Sequence, residues 1–258
     1  MSVDVVILGC GPSGLAAATA VVRSGLTVML VSNTDRRSRQ YGCQYLHAPV
    51  PGYEQVPHTV VNYTLRGTPE QYRYKVYGDG WMGKVSPEDF VGEHEAWDIR
   101  MTYSAMWMHL HETPGQVQFL IAPTISDGEL PTEVRRANPS VMISTIPAPA
   151  LCSDRRHIFR HHVIYATGSM TQENSVDDTI VCDGTDEHTW YRSACVFGYR
   201  TTEWSQRPSN GESLAAVAKP LSTDCTCHPE ISRIGRYGKW EKSYLVHKAY
   251  PEVMEILK

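Results

Sequence analysis

The chain has no long apolar run and no large excess of charge. None of its hydrophobic stretches approaches the roughly twenty residues that a helix needs to cross a bilayer, so the sequence predicts no membrane contact. A formal net charge of −4 provides no general attraction to nucleic acid, although the basic stretch Arg36–Arg39 still allows a local contact with nucleic acid. With 41% apolar and 20% charged residues, an ordinary soluble globular protein is expected.

The sequence also lacks the paired cysteine motifs of a zinc site. Seven cysteines are scattered along it, and only Cys225 and Cys227, followed by His228, form a tight group. Zinc needs about four ligands, and no matching pair is spaced nearby, so we favour a loop with two free thiols and predict no metal. The histidine-rich segment Arg155–His162 is interpreted as a solvated basic turn for the same reason.

The first predicted strand begins almost at the first residue. This position leaves no room for a signal peptide, so we expect a cytoplasmic protein with reduced thiols.

The stretch Val3–Ser32 predicts a β-α-β unit. Val3–Leu8 is an apolar run long enough for one buried parallel strand, and Leu15–Ser24 is an alanine-rich amphipathic helix. Gly25 stands where a helix C-cap is expected, and Leu26–Val31 is a second apolar strand.

A G-x-G-x-x-G motif joins the first strand to the helix. Gly9 allows a sharp turn, Gly11 allows backbone to approach a pyrophosphate, and Gly14 allows close packing of helix on strand. The pyrophosphate would lie on the free N–H groups of the helix start, beside Pro12 and Ser13. The motif therefore predicts a dinucleotide site.

The end of the second strand departs from the usual dinucleotide pattern. An acidic residue normally binds the adenosine ribose there, whereas this chain has Ser32 followed by Asn33. Either side chain can hydrogen-bond a hydroxyl group, but without a charge. Both are candidate cofactor contacts.

Later segments predict further elements of an α/β protein. An Asp127-Gly128 pair predicts a hairpin turn. Aromatic residues around Gly78–Gly80 line a pocket or, more commonly, pack a small core: Tyr72, Tyr74, Tyr77 and Trp81. Strands are predicted at Val60–Arg66, Val117–Ile121, Val141–Ile146, Val163–Ser169, Ile180–Cys182, Ala194–Tyr199 and Ile231–Ile234, and helices at about Glu93–Glu112 and Tyr244–Leu257, with helix starts at Ser86 and Ser243.

The order of these pieces resembles the FAD superfamily that includes UDP-galactopyranose mutase, protoporphyrinogen oxidase and the flavin amine oxidases, in a shortened, phage-like version. The Gly-Pro-Ser-Gly form of the first turn is similar to that of FAD-binding members. Residues 41–47, Tyr-Gly-Cys-Gln-Tyr-Leu-His, resemble the mutase segment Tyr-Gly-x-His-x-Phe-His beside the flavin, with Gln44 in place of the first histidine. Val141–Pro149 is similar to the strand returning from the substrate region of amine oxidases. Gly235–Val246 resembles the Gly-Arg-rich segment that places a helix start against the isoalloxazine.

This resemblance implies FAD as the cofactor and an α/β fold. A Rossmann-like FAD-binding domain with a parallel sheet would comprise residues 1–47, 114–150 and 229–258. A small, partly antiparallel substrate or cap region would comprise 48–113 and 151–228. The implied cofactor contacts beyond the first unit are Gly42, Cys43, Gln44, Gly235, Arg236, Trp240, Tyr244 and Leu245.

The resemblance also places residues near the flavin ring. His47, with Gln44, is the candidate catalytic group, because imidazole titrates near neutral pH, although a hydrogen-bonded loop histidine is an equal alternative. Arg192 pairs with an anionic substrate group or forms a surface ion pair. The implied substrate contacts are Tyr45, Trp190, Tyr191 and Arg192.

Four functions follow from this interpretation. The first is an FAD-dependent oxidoreductase acting on a C–N or C–C bond of a small or nucleotide-linked substrate. The alternatives are a non-redox flavoenzyme of the mutase type, a phage enzyme of nucleotide or DNA-base modification, and a flavin-binding module without turnover. The sequence also allows the chain to form an oligomer.

Overall fold

The computed structural model describes residues 3–35, 40–80, 90–167, 178–209 and 214–258, which form two β-sheets and six α-helices. Four predictions lie wholly or partly outside these ranges: the basic stretch Arg36–Arg39, Trp81, the helix start at Ser86, and the end of the strand predicted to reach Ser169.

The first sheet is parallel and has the strand order β12-β6-β1-β2-β5. Its central strand β1 pairs with β2 on one side and with β6 on the other, so that Val5 lies opposite both Val28 and Val141. All four residues of β1 are buried, as expected for a strand covered on both faces. The strands are β1 Val5–Leu8, β2 Val28–Ser32, β5 Val117–Ile121, β6 Val141–Ser144 and β12 Ile231–Arg233.

Helices cover both faces of this sheet. Three helices share one core with it: α1 Pro12–Arg23, α3 Ile99–His111 and α6 Ala249–Ile256. The opposite face packs against α4 Thr132–Ala137 through Val134 and against Leu151. No helix in the described ranges combines the length and the apolar character that crossing a bilayer requires.

The second sheet is mixed and has the order β11-β7-β10-β9-β8-β3-β4. Strand β3 runs parallel to β8, and the other neighbouring pairs are antiparallel. Helix α2 Pro69–Tyr77 packs on this sheet through Tyr72 and Val76. The strands are β3 His58–Arg66, β4 Gly92–Trp97, β7 Phe159–Thr167, β8 Thr179–Asp183, β9 Arg192–Val196, β10 Tyr199–Trp204 and β11 Leu214–Thr223.

The predicted fold class, a Rossmann-like parallel sheet with a partly antiparallel second region, is confirmed. The helix predicted at Glu93–Glu112 is wrong over its first part. Residues 92–97 form β4, which pairs with β3, and Asp98 then caps α3 by accepting hydrogen bonds from the N–H groups of Arg100 (2.7 Å) and Met101 (3.1 Å). Pairing with a distant strand therefore decided the conformation of 92–97.

Three further corrections concern turns and helix ends. Asp127 and Gly128 do form a turn with positive φ, but it leads to α4 and not into a hairpin, because β5 and β6 do not pair. The segment 159–162, interpreted as part of a solvated turn, is the beginning of β7. Ser243 caps no helix: its hydroxyl bonds Glu241 (2.8 Å), and α6 begins only at Ala249.

The two sheets are linked by long connections that take part in both cores. The predicted division of the chain assigns 48–113 to the cap region, and α3 lies within that range. Its buried residues Tyr103 and Met106 nevertheless pack in the core of the parallel sheet, together with Leu46 and Val50 of the connection from β2 to β3.

Candidate functional site

The three glycines of the turn after β1 have different steric surroundings. Gly9 has a φ of 108°, and a Cβ there would lie 2.5 Å from Thr145 Oγ1. A Cβ on Gly14 would collide with the carbonyl oxygen of Gly9, so α1 approaches β1 more closely than a side chain allows. Around Gly11 no atom lies within 4 Å of the position of a Cβ. Gly9 and Gly14 therefore serve the fold, whereas Gly11 faces open space.

Helix α1 presents an uncapped N-terminus at this open space. Gly11 is its N-cap residue, Pro12 occupies the first turn, and no side chain accepts from the helix start. The N–H groups of Ser13 and Gly14 have no acceptor within the helix. This helix start lies where the strand order reverses, since β2 and β5 lie on one side of β1 and β6 and β12 on the other. Such a switch point, with its helix dipole, favours an anionic ligand.

Ser32 and Asn33 lie at the end of β2, on the same edge of the parallel sheet. Ser32 Oγ accepts from the N–H of Thr34 (3.2 Å), and the amide nitrogen of Asn33 donates to Thr124 Oγ1 (3.2 Å). Neither side chain carries a charge, so a ribose contact at this edge would consist of neutral hydrogen bonds.

The strand β12 leads into the short helix α5 Gly235–Lys239, which contacts the glycine turn. Gly235 has a φ of 68°, and a Cβ there would lie 2.7 Å from Ser13 Oγ. The next residue, Arg236, is half-buried, and removal of its guanidinium from water is the main cause that lowers its pKa, although Tyr237 opposes that shift. The beginning of α5 is thus fixed beside the start of α1.

The remaining C-terminal candidates are engaged in packing. The indole N–H of Trp240 donates to the carbonyl of Arg160 (3.0 Å), and its ring packs edge-on against Phe159. Lys239 Nζ lies 3.7 Å from the ring centre of Tyr244. Leu245 precedes the short 3₁₀ helix Val246–Lys248, which brings His247 to the site. Trp240 therefore holds α5 against β7, and its side chain is not free for a cofactor.

Residues 41–47 pass from the parallel sheet to the mixed sheet and are held by backbone contacts. Gly42, with a φ of 74°, donates its N–H to Thr167 (3.2 Å), and a Cβ on it would lie 2.5 Å from Glu203 Oε1. The N–H of Cys43 donates to the same oxygen (3.1 Å), and burial raises the pKa of the Cys43 thiol to about 12. The amide nitrogen of Gln44 donates to the carbonyl of Tyr41 (2.6 Å). Gln44 thus stabilises the loop itself.

His47 ends this segment next to two other histidines. Its ring centre lies 4.6 Å from that of Tyr45 and 6.0 Å from that of His247. One side of the imidazole is open to solvent. Burial of the rest, followed by the nearby charges of His247 and His94, lowers the pKa of His47 to about 4. At neutral pH the unliganded protein therefore carries a neutral His47.

Glu203 of β10 is the centre of a buried ionic group in the mixed sheet. Its Oε2 accepts from the hydroxyl of Tyr191 (2.6 Å) and from Lys219 Nζ (3.0 Å), and Arg192 Nη1 lies 3.9 Å away. Burial raises the pKa of Glu203, but Lys219 and Arg192 together outweigh it and hold the pKa at about 2. Glu203 is ionised at neutral pH and joins β9, β10 and β11 to the loop at Cys43.

A cavity of about 100 Å³ opens above this ionic group. A cavity of roughly 150 Å³ holds a benzene molecule, so this one suits a small group. Aromatic rings of Tyr72, Tyr77 and Phe90 form one part of its wall, and no acidic residue is among the described residues that line it. The cationic side chains at the cavity are those of Arg73, Arg192, Lys219, Arg236 and Lys242.

The structure separates the three residues of the predicted substrate segment 190–192. Arg192 lines the cavity, whereas Tyr191 is fully buried beneath it. Trp190 packs against His188, with ring centres 4.6 Å apart and ring planes tilted by 34°, and does not line the cavity. Tyr45 is also buried, and its hydroxyl contacts that of Tyr63 at 2.9 Å.

Sequence reasoning missed several residues at the site: His94, His247, Glu203, Lys219 and Arg73. Three buried polar atoms there have no hydrogen-bond partner, namely Arg192 Nε, His94 Nε2 and His247 Nδ1. No local motif marks these residues, since each comes from a different strand, helix or connection.

The comparisons with known proteins identify relatives by structure only. A probable FAD-dependent monooxygenase from Pseudomonas aeruginosa has a TM-score of 0.57 and 12% identity, covering 99% of this chain and 86% of that one. A reduced UDP-galactopyranose mutase has a TM-score of 0.54 and 11% identity, covering 100% and 93%. A peptidyl tryptophan dihydroxylase essential for tryptophylquinone cofactor biogenesis has a TM-score of 0.55 and 10% identity, covering 99% and 66%.

No protein-family model matches the chain, and no curated protein matches it in sequence. At identities of 12% or less, the structural likeness shows that the chain has the fold of these flavoenzymes. The expected likeness to UDP-galactopyranose mutase is therefore confirmed at the level of the fold.

Proposed function

We propose that the chain binds FAD, with the pyrophosphate on the N-terminus of α1. The observation that carries this proposal is the open space at Gly11 in front of an uncapped helix start, at the switch point of a parallel sheet. Free N–H groups and a positive helix end are what a pyrophosphate needs. The similarity of the fold to an FAD-dependent monooxygenase supports the same cofactor.

The residues around His47 fit the flavin end of the cofactor. Buried polar atoms of Arg192, His94 and His247 lack partners in the unliganded protein, and leaving such atoms unpaired is unfavourable. Polar edges of a bound ring would supply these partners. FAD, when bound, supplies the electron-transfer chemistry, and this chain's residues hold it and select the substrate.

We infer that the protein is an FAD-dependent oxidoreductase whose substrate carries a negative charge. The cavity beside Arg236 combines five cationic side chains with three aromatic rings. Carboxylate and phosphate groups pair well with guanidinium groups, so a small acid or a nucleotide-linked substrate fits this composition. Neutral His47, whose pKa is lowered in part by Arg236 and Arg192 of the cavity wall, would accept a proton from the substrate or from solvent.

The test of cofactor binding uses two glycines of the same turn. Gly11→Val should leave the unliganded fold intact, because Gly11 has φ −73° and nothing within 4 Å of a Cβ, yet it should abolish FAD uptake. The absorbance spectrum after addition of FAD and gel filtration measures the uptake. Gly115→Val is the matched control, since Gly115 also has open surroundings but lies at the opposite edge of the sheet.

Gly14→Ala should behave differently from Gly11→Val. The new Cβ would meet backbone, so the variant should lose stability by about 1–3 kcal/mol or more with or without FAD, as measured by urea denaturation. If wild-type protein is folded and takes up no flavin, or if Gly11→Val binds FAD normally, the proposed site is wrong.

A second candidate function is that of a non-redox flavoenzyme. It is favoured by the structural similarity to UDP-galactopyranose mutase, which extends over 93% of the mutase chain. Anaerobic titration distinguishes the two functions. An oxidoreductase substrate bleaches the flavin, whereas a mutase-type substrate turns over only after the flavin has been reduced beforehand.

A further inference from the structure

Three cysteines and a histidine meet at one end of the mixed sheet, away from the glycine turn. The possible ligand atoms of Cys152, His157, Cys225 and Cys227 all lie within 4.8 Å of one another. None of the four residues is fully exposed, and all three cysteines are free thiols. His228, the histidine adjacent in sequence, is not part of the group, because its ring contacts Glu230 (2.9 Å).

The pairing of β7 with β11 brings His157 and Cys225 together. Phe159 at the start of β7 lies opposite Thr223 at the end of β11. Continuing this antiparallel register by two residues places His157 opposite Cys225. The N–H of Ile158 also donates to Asp224 Oδ1 (2.7 Å), which holds the two connections side by side. The strand register therefore places His157 beside Cys225, and the connections that flank β7 and β11 add Cys152 and Cys227.

The distances among Cys152, Cys227 and His157 match those of a tetrahedral zinc site. With Zn–S bonds of about 2.3 Å and a Zn–N bond of about 2.05 Å, tetrahedral geometry requires S···S separations of about 3.8 Å and S···N separations of about 3.6 Å. The Sγ atoms of Cys152 and Cys227 are 3.9 Å apart, and His157 Nδ1 lies 3.4 Å and 3.5 Å from them. The separation of the two sulfurs is far longer than the roughly 2.05 Å of a disulfide bond.

We propose that Cys152, His157, Cys225 and Cys227 bind one structural Zn²⁺ ion. Three thiols lose their protons to solvent on binding, and neutral His157 coordinates through Nδ1, so the complex carries a net charge of −1. Soft thiolate ligands favour zinc over magnesium or calcium, and four protein ligands leave no open position for catalysis.

Neighbouring groups stabilise such a charge. The guanidinium of Arg233 donates to the carbonyl of Cys227 (2.7 Å) and lies 3.5 Å from the sulfur of Cys225. The hydroxyl of Ser153 donates to the sulfur of Cys227 (3.6 Å). Hydrogen bonds of this kind orient ligands and offset the negative charge of a zinc–thiolate centre.

The position of the site explains what the ion would do. Cys152 and His157 lie on the connection from β6 to β7, which leaves the parallel sheet, and Cys225 and Cys227 lie on the return from β11 to β12. The ion would cross-link these two connections where the chain passes between the sheets. Because β12 leads directly into α5, the same link holds the C-terminal wall of the candidate site.

The test measures metal in the whole protein, expressed without a histidine tag and purified under reducing conditions without chelator. Elemental analysis should find about one zinc per chain whether or not flavin is bound, so this result is independent of the proposed function. Zinc X-ray absorption on the wild-type protein should show three Zn–S distances near 2.3 Å and one Zn–N distance near 2.0 Å.

Variants identify the ligands. Cys225→Ser and Cys152→Ser should lose most of the zinc and lower the melting temperature, whereas His157→Cys should retain zinc with four sulfur ligands. Cys195→Ser is the matched control, because Cys195 is a buried thiol of β9 outside the cluster and should keep full zinc content. If the serine variants fail to fold, the zinc X-ray absorption spectrum of the wild-type protein still identifies the ligands.

Three outcomes would overturn the proposal. The first is wild-type protein that contains no zinc and takes up none when zinc is supplied. The second is one equivalent of a different metal. The third is a mass two hydrogens lower than that of the reduced chain, with two cysteines resistant to alkylation, which would indicate a disulfide instead.

Discussion

At the scale of single residues, His47 shows how its surroundings set the charge of the candidate site. The sequence suggested a proton carrier that titrates near neutral pH. In the structure, burial and the positive neighbours His247, His94, Arg236 and Arg192 lower its pKa to about 4. The folded protein therefore resists protonation of this ring, whereas the unfolded chain takes up the proton at a pH near the ordinary histidine pKa of 6.5.

This difference predicts how stability depends on pH. Because the folded-state pKa is the lower one, the contribution of His47 is fully favourable above pH 6.5 and is lost as the pH falls from 6.5 to about 4. His47→Gln cannot titrate, so its free energy of unfolding should fall less over that interval than that of the wild type. Urea denaturation from about pH 4 to about pH 7.5 measures both slopes, and parallel slopes would contradict the prediction.

At the scale of elements, helix α5 lies against the glycine turn because Gly235 has no Cβ. Gly235→Ala would place a Cβ 2.7 Å from Ser13 Oγ and 2.9 Å from Ser13 Cβ, in a backbone conformation with φ of 68°. The variant should lower both stability and FAD affinity, since Ser13 belongs to the turn that would hold the pyrophosphate.

A double-mutant cycle separates the steric clash from the backbone strain. Ser13→Gly removes the atoms that the new Cβ meets, so the pair Gly235→Ala/Ser13→Gly should recover part of the loss, a coupling of about 0.5–3 kcal/mol. A deficit of about 1–2 kcal/mol should remain from the positive φ. Denaturation of the four proteins gives the coupling, and strictly additive effects would show that the two elements are not in contact.

The ionic group around Glu203 joins three strands of the mixed sheet to the loop at Cys43. Glu203→Gln would leave the partly buried Lys219 and Arg192 without a counter-charge, so we expect a loss in unfolding free energy of at most about 3–5 kcal/mol at neutral pH. Hydrogen exchange of residues 41–47 should also become faster, because the N–H of Cys43 loses a charged acceptor. Glu95→Gln, an exposed pair with His58, is the control and should cost less than about 1 kcal/mol.

At the scale of the whole molecule, charge is distributed unevenly. The chain carries a net charge of −4, yet five cationic side chains meet at one small cavity. Aromatic walls of low polarity strengthen their combined field. The protein as a whole should therefore repel anions weakly while this cavity attracts them.

Acetate, a carboxylate smaller than benzene, is a suitable probe of a cavity of about 100 Å³. Its affinity, measured by calorimetry, should fall as salt rises from about 0.05 to about 0.5 M, because screening shortens the range of the attraction. Arg73→Ala should weaken binding about tenfold, equivalent to about 1.4 kcal/mol. Arg66→Ala removes an exposed charge outside the cavity and should change little. Equal losses in both variants would refute a specific anion site.

The β-α-β unit and its glycine turn could be predicted from the amino-acid sequence alone. The reason is local for Gly14, whose Cβ would meet the carbonyl oxygen of Gly9 in the same turn, so the spacing of the motif carries this geometry. The contact of Gly9 with Thr145, in contrast, depends on the pairing of β1 with β6. The apolar run Val3–Leu8 was equally readable, because a strand buried on both faces needs a continuous apolar segment, and all four residues of β1 are buried.

The rest of the site depends on tertiary contacts. Residues 92–97 became a strand because β3 was available to pair with them, against their helical periodicity. Glu203, Lys219 and Arg192 meet because the antiparallel pairing of β9, β10, β7 and β11 sets their register. His157 and Cys225, far apart along the chain, come together because β7 pairs with β11. Such contacts depend on which strands pair and in what register, and no local pattern in the sequence records that choice.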